Sequence, residues 1–352
     1  MLTSKSGAPL ITTIIPTFRR PRLLRRAIMS ALSQEQAPLQ ICVYDNASGD
    51  ETAAMVSKLS KSVQDNQIKY FCHEKNIGSL ANFQHGMQQV NTPFFSFLSD
   101  DDYLLPGFYR RALEQLENCQ RAMCWVGMTL NVDETGKIWD ARLQHWSRDG
   151  FFEPPDGFMN MTNGMAPAWT SILFRRDAIN KVGLLDMEAL GPSDLEFCLR
   201  LTARHPYIAE KYPAAVLTLN SESFSATQPM SSFWPGWKHM LEKIARDHEF
   251  STDFKRIALS RLQSDARKML FRRGANALAA GRLEFVNDAA DALANDCNEL
   301  MRAYVLRSIA AGCARSSTIQ KLYTTSYRWM ERRIVASRYH LQAAYGHLLK
   351  PA

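Results

Sequence analysis

Before residue 120 the chain alternates four times between a short β-branched or apolar run and a stripe of apolar residues at helical spacing. Residues 11–15 (ITTII) read as a strand, and Leu24, Ala27, Ile28, Ala31 and Leu32 recur as one buried helix face does. Pro21 stands at the first turn of that helix, where a missing N–H is harmless. Residues 40–44 (QICVY) are a second strand, and Ser48-Gly-Asp-Glu51 reads as a capping box opening a helix through Met55, Val56 and Leu59. Residues 68–72 are followed by the stripe Leu80, Phe83, Met87 and Val90. Residues 94–98 (FFSFL) form a continuous apolar run, as in a strand covered on both faces, ahead of Phe108, Tyr109, Ala112, Leu113 and Leu116. Such a pattern predicts an α/β fold with a mostly parallel sheet flanked by helices.

Further on the alternation loosens. Residues 123–139 read as a hairpin turning at Glu134-Thr-Gly-Lys137, residues 150–167 as a mobile loop, and residues 169–174 as another strand. Ser193 opens a helix through Leu195, Leu199 and Thr202. After about Pro229 strand signals stop, and the rest reads as helices broken near Gly274, Gly281 and Gly312. The expected organisation is an α/β catalytic domain over 1–229 and a helical region over 230–352.

Composition narrows the class. With 352 residues, 46% hydrophobic and 22% charged, the chain is neither disordered nor fibrous. No apolar run approaches the roughly 18 residues of a membrane-spanning helix, and the first residues lack the order of a signal peptide. A cytoplasmic protein is expected. Seven cysteines without a C-x-x-C predict buried thiols, not a disulfide framework or a zinc site. The formal charge of +7 is concentrated at the end: from Arg302 onward nine basic residues face a single acid, Glu331. A basic tail on a nearly neutral body points to an anionic surface as partner and not to nucleic acid.

The chemistry concentrates at Ser99-Asp100-Asp101-Asp102, directly after the apolar strand. Adjacent carboxylates repel one another, and a hard cation such as Mn²⁺ or Mg²⁺ relieves that while keeping positions open for phosphate oxygens. Ligands of open α/β sheets bind at the carboxyl ends of strands. Pro16-Thr17-Phe18 and Asp45-Asn46 end two other strands and would share that edge. A solvated acidic loop, and ordinary turn chemistry at Asp45-Asn46, are the plainer alternatives.

ITTIIPTFRR, VYDNASGDET, EKNIGS and FLSDDDYLLP, in this order, resemble the successive motifs of family 2 inverting glycosyltransferases of the GT-A fold, over roughly residues 10–225. The resemblance implies transfer of a sugar from a nucleotide-diphosphate donor to an acceptor hydroxyl, a glycan or lipid-linked acceptor. It implies a nucleoside held by Pro16, Thr17, Phe18 and Asp45, ribose near Asp100, and a metal on Asp101 with Asp102 beside it. Asn76 and Gly78 match an Asn-x-Gly motif, and Asn82 stands where an arginine is often found, as a donor contact or a polar residue on a helix face. The family's Glu-Asp is Ser193-Asp194 here, which makes Asp194 the base and Glu196 its reserve. Alternatively Ser193 and Glu196 form a capping box, and Asp194 in a first helical turn has a lowered pKa. Residues 161–169 would border the acceptor, with Trp169 stacking on sugar or packed in the core. His85, His145 and His205 have no metal-ligand spacing.

A nucleotidyltransferase would carry a Gly-rich loop after the first strand, and PTFRRPRLL has no glycine. A sugar-nucleotide-binding pseudoenzyme is the non-catalytic rival. Tyr323, Tyr327, Met330, Ile334, Leu341, Tyr345 and Leu348 recur at helical spacing between Arg328, Arg332, Arg333 and Arg338. That basic amphipathic pattern suits the inner face of a membrane, or packing on the protein's own helices or a second subunit.

Overall fold

A computed structural model of the chain describes residues 8–35, 39–63, 67–220 and 228–349. The expected repeat is present as β1 (Ile11–Thr17), α1 (Pro21–Leu32), β2 (Leu39–Asp45), α2 (Thr52–Ser60), β3 (Ile68–Cys72), α3 (Ser79–Gln88) and β4 (Phe94–Phe97). A two-residue β5 (Tyr103–Leu104) precedes α4 (Phe108–Asn118), and the hairpin is β6 (Cys124–Asp133) with β7 (Ile138–Ala141). Asp133 closes the hairpin turn, its Oδ1 accepting from the N–H groups of Thr135 and Lys137.

Alternate residues of β1 serve two cores, as a period of two requires. Ile11 and Ile15 pack with Leu24, Ala27 and Ile28 of α1 and with α4, while Ile14 faces the opposite cluster with Met87 of α3. Gly86 makes that second contact possible: a Cβ there would lie 2.5 Å from Ile14 Cγ2 and 2.9 Å from the Tyr44 ring.

The sheet runs β3-β2-β1-β4-β9-β6-β10-β5, with β9 (Ile172–Arg175) and β10 (Tyr207–Leu219). The first four neighbours are parallel, β9 is antiparallel to both β4 and β6, and β6 and β10 are parallel again. Strand order reverses beside β1, so the carboxyl ends of β1, β2 and β4 open on one crevice.

Several expectations change. The α2 helix starts at Thr52, and the Ser48–Glu51 box does not form, because Ser48 is used to tie β2 to β1. Residues 150–167 are not simply loop: β8 (Gly150–Phe152) pairs with β10, and α5 (Asp156–Asn160) follows. Strand β10 gave no clear signal in the sequence, because Pro213 and the charged Glu210-Lys211 interrupt its pattern; its register with β6 shifts on both sides of Pro213. All seven cysteines are free, but Cys72 is exposed.

After α6 (Asp177–Val182), α7 (Ser193–Thr202) and β10 come α8 (Trp234–Arg246), α9 (Thr252–Ala279), α10 (Leu283–Asn295), α11 (Leu300–Arg315), α12 (Ser317–Ser337) and α13 (Tyr339–Tyr345). One apolar cluster runs unbroken from Ile14 through Phe197 to Leu262, Leu306 and Leu341, so these helices share the core behind the sheet. No helix among the described residues is long and apolar enough to cross a membrane.

Candidate active site

At the crevice each strand end is cross-linked to the next. Thr17, at the end of β1, donates from Oγ1 to Asp100 Oδ2 at 2.8 Å. Asn46 N donates to Thr17 O at 2.9 Å. Arg19 and Ala47 both have left-handed backbones, φ 55° and 62°, a conformation non-glycine residues adopt only where their surroundings impose it. Ser48 supplies that constraint: its Oγ accepts from Arg19 N at 2.8 Å, and its N–H donates to Asp45 Oδ1 at 2.9 Å. Tyr70 of β3 donates to the other Asp45 oxygen at 2.5 Å. Asp45 and Thr17 are thus buried and oriented, while Phe18 stands exposed beside them with the Arg19 guanidinium 5.1 Å from its ring centre. Pro16 is internal to β1, in register with Tyr44.

The three aspartates of the acidic motif do not converge. Asp100 points to Thr17 and to Arg20, whose Nη1 lies 3.3 Å from its Oδ1. Burial, with the Asp101 charge beside it, pushes the Asp100 carboxyl up to about 6, against the pull of Arg20 and Thr17. Asp101 meets the same guanidinium nitrogen at 3.0 Å and keeps 14% of its side chain exposed. Asp102 turns inward, where Oδ2 accepts from Thr170 Oγ1 at 2.8 Å and Oδ1 from Thr218 N at 2.9 Å. Burial raises its pKa as well, outweighing those donors. The expectation that Asp102 accompanies Asp101 toward a cation meets this geometry: both its oxygens already brace the loop before β9 and the end of β10. Asp101 is the carboxylate left facing the crevice.

Such a site fits a divalent ion only in part. Among the described residues no three His, Cys, Asp or Glu side chains are grouped to hold a metal. One hard carboxylate at the strand ends still suits Mg²⁺ or Mn²⁺, which bind through one or two carboxylates plus substrate phosphates.

Asn76 and Gly78 form a tight turn into α3, with Asn76 Oδ1 accepting from Gly78 N at 2.9 Å and Gly78 at φ 88°. Asn46 holds this turn from β2 through Asn76 Oδ1 and Ile77 N. Asn82 is buried and committed: its amide donates to Tyr44 O at 2.8 Å, and its oxygen meets His73 Nε2 at 2.9 Å. The helix-face alternative describes Asn82 better than a donor contact does. His85 stacks on Phe71 at 4.9 Å, with the His73 ring 4.8 Å away.

Asp194 lies in the first turn of α7. Pro192 is the N-cap, no side chain caps the helix, and the Ser193–Glu196 box is absent. Glu196 is consumed elsewhere: Arg200 Nε and Nη2 each reach it at 2.8 Å, and Lys243 of α8 does so at 2.8 Å. That removes Glu196 as a free reserve base. Lys243 and His239 also bind Asp186, at 2.6 and 2.9 Å, which fixes the loop before α7. Asp194 Oδ1 accepts from the N–H of Leu195, 2.7 Å away. Packed protein around it raises its pKa despite the helix start and the Arg142 charge, the reverse of the lowered value expected from position. Arg142 in turn donates to Ala166 O at 2.9 Å, in the loop that delivers Thr170 to Asp102. That loop therefore connects the acidic motif with the start of α7. Trp169 within it stacks on Phe97 at 4.4 Å and is half-buried against the core.

Arg20, Ser48, Tyr70, Thr170 and Arg142 escaped the sequence reading. Arg20 sat inside a quoted motif without a role and Ser48 was read as a helix cap, whereas Tyr70, Thr170 and Arg142 act through contacts no local pattern encodes.

A crevice at a strand-order reversal, with buried polar groups at three strand ends, is the arrangement of a GT-A type α/β fold. Residues 12–183, just under half of the chain, match Glycosyl transferase family 2. A segment of 100 residues is 40% identical to the Campylobacter jejuni GalNAc(5)-diNAcBac-PP-undecaprenol beta-1,3-glucosyltransferase, covering 28% of this chain and 32% of the relative. An uncharacterized glycosyltransferase of Rickettsia bellii is 30% identical over 132 residues, 37% of this chain and 18% of that one. The chain thus spans a third or less of these two relatives' lengths. Residues 1–349 of S. aureus TarS, solved in complex with UDP-GlcNAc, share the fold with a TM-score of 0.61 at 14% identity, over 91% of each chain.

Proposed function

We propose that the protein transfers a sugar from a nucleotide-diphosphate donor to an acceptor hydroxyl, with inversion at the anomeric carbon. The supporting observations are the bonded polar groups at the strand ends, with Asp101 beside Arg20, and the start of α7 at Asp194, whose pKa burial raises. Asp45 and Thr17 orient the nucleoside, Phe18 offers a face for the base, and Asp100 faces the ribose. Asp194 takes the proton of the acceptor hydroxyl as its oxygen attacks the anomeric carbon and the bond to the diphosphate breaks. A carboxylate with a raised pKa is the stronger base, so burial at this position serves the reaction. A divalent ion, when bound at Asp101, supplies charge neutralisation for the leaving nucleoside diphosphate.

A membrane-linked acceptor fits both a relative named for an undecaprenol-linked substrate and the basic helical end. Only part of the apolar stripe faces outward. Tyr323 donates to Ala275 O and Leu341 is buried, so these pack inward. Met330 and Ile334 are exposed, together with Leu322 and Trp329, on a helix that has no buried residue. With Arg328, Arg332 and Arg333 interleaved, this face suits an anionic lipid interface. Flotation with anionic vesicles should recover the protein, and Leu322→Ser with Trp329→Ser should lower recovery. Self-association removed by the same changes would assign the face to a second copy.

Calorimetry tests the donor site. UDP or dTDP should bind with Mn²⁺ and lose most affinity in EDTA or in Asp101→Ala; equal affinity in all three ends the metal role. Screening hydrolysis of UDP-, dTDP- and GDP-sugars then identifies the donor.

A further inference from the structure

Arg20 is the N-cap residue of α1, and its side chain reaches the acidic motif. One nitrogen of its guanidinium, Nη1, sits 3.0 Å from Asp101 Oδ2 and 3.3 Å from Asp100 Oδ1. It bridges the two carboxylates that a cation and a ribose would otherwise address. The side chain is 27% exposed, so it lies at the mouth of the crevice with solvent to move into. The remaining oxygen of Asp100 is held by Thr17, so Asp100 stays in place if the arginine leaves. The backbone of Asp101 is anchored separately, its carbonyl accepting from Arg26 Nη2.

From this arrangement we infer that Arg20 is a resident counter-cation: it neutralises Asp100 and Asp101 in the empty enzyme and competes with the divalent ion for Asp101. The inference rests on the metal-assisted reading of the site. A divalent ion on Asp101 would repel a guanidinium placed where Nη1 is, which favours displacement of Arg20. The diphosphate brings the charge that resolves the conflict. Arginine binds phosphate oxygens in a two-pronged fashion, so the displaced Arg20 passes from the carboxylates to the arriving diphosphate. The metal and the nucleotide are then taken up together, and the empty site keeps its acids paired without a metal.

Mn²⁺ binding followed by electron paramagnetic resonance, with and without UDP, separates the possibilities, because it reads the ion and not turnover. Wild-type protein should bind Mn²⁺ weakly alone and tightly with UDP. Arg20→Met should bind Mn²⁺ alone about tenfold tighter, the scale of a lost charge-assisted contact, and bind UDP·Mn²⁺ about tenfold more weakly. Arg20→Lys, which keeps the charge, should stay near wild type for Mn²⁺ alone and bind UDP·Mn²⁺ less well. Unchanged Mn²⁺ affinity in a folded Arg20→Met overturns the inference, as does UDP binding in EDTA that Arg20→Met abolishes, since Arg20 would then replace the metal. Asp101→Asn is the control for the underlying reading. If neither it nor wild type binds Mn²⁺ under any condition, the metal reading itself fails; if only wild type binds, a negative result belongs to Arg20.

Discussion

The strand ends and the start of α7 are built by different means. On the donor side, Thr17, Asp45, Asn46 and Asp100 come from the ends of neighbouring parallel strands and are bonded to one another. Strand pairing alone puts these residues side by side, since Thr17 lies in register with Asp45. On the α7 side the local bond is the Glu196–Arg200 pair within the helix, and the other partners are distant. Asp186 and Glu196 are fixed by His239 and Lys243, from a helix that follows β10, and Arg142 comes from the hairpin region. A parallel sheet delivers its site with its hydrogen-bond register; a helix start has to be positioned by partners from distant parts of the chain. The first kind of site tolerates loss of a distant helix contact, and the second does not.

The largest effect should come from the group with fewest supports. Asp194→Asn should keep UDP affinity while turnover falls by about 10² or more. Turnover in the wild type should rise with pH through the Asp194 pKa, because the base works ionised; burial sets that limb above the ordinary aspartate value of 3.8. The limb should vanish in the variant. Near-wild-type transfer by Asp194→Asn would reduce the residue to a helix start and break the contrast.

The brace behind that base comes next. Glu196 is 3% exposed and doubly bonded to Arg200. Arg200→Met leaves it with Lys243 alone, and a broken buried pair costs about 3 kcal/mol. Thermal melts should register that loss, and turnover should fall more than UDP affinity. A loss of donor binding as large as the loss of turnover would show that the two sides are not independent.

Asn82 sharpens the donor side. Asn82→Ala strands Tyr44 O and His73, at about 2 kcal/mol of stability by the cost of unmet buried groups. UDP affinity should change less than about threefold, the scale of a few tenths of a kcal/mol. A large affinity loss with unchanged stability would restore Asn82 as a donor contact.

How much was legible follows the same division. The βα repeat, the hairpin and the polar strand ends were readable because each is written within one or two elements: Leu24 to Leu32 mark a helix face, and Asp45 ends a strand. The adjacent Asp100, Asp101 and Asp102 were readable as a motif but not as three separate fates, which depend on Thr170 and Thr218, 68 and 116 residues away from Asp102. Local dipole reasoning gave Asp194 a lowered pKa, and burial reversed it. Ser193 and Glu196 matched a capping box, yet a bidentate arginine and a lysine bind a carboxylate more strongly than a backbone N–H does. Strand β10 was hidden because Pro213 breaks the alternation that identifies strands.

Asp102 gives the smallest expected effect and the finest test. It lies next to Asp101 in sequence, yet its oxygens serve Thr218 N and Thr170 Oγ1, both groups that an asparagine can satisfy if the threonine hydroxyl rotates to accept. Burial raises its folded pKa above the unfolded value of 3.8. The folded state therefore holds the proton more tightly than the unfolded chain, and this group's contribution to stability falls as pH climbs from the unfolded pKa through the folded one. Asp102→Asn has no proton to lose. It should match wild type within about 0.5 kcal/mol near pH 5 and equal or exceed it near pH 8, where wild type carries a buried charge. Melts at the two pH values read the difference directly, and UDP·Mn²⁺ affinity should stay within about threefold. An affinity loss matching that of Asp101→Ala would place Asp102 on the cation and erase the distinction between the two neighbours. Without such a loss, the two adjacent aspartates do separate work, Asp102 bracing the sheet edge and Asp101 meeting the donor.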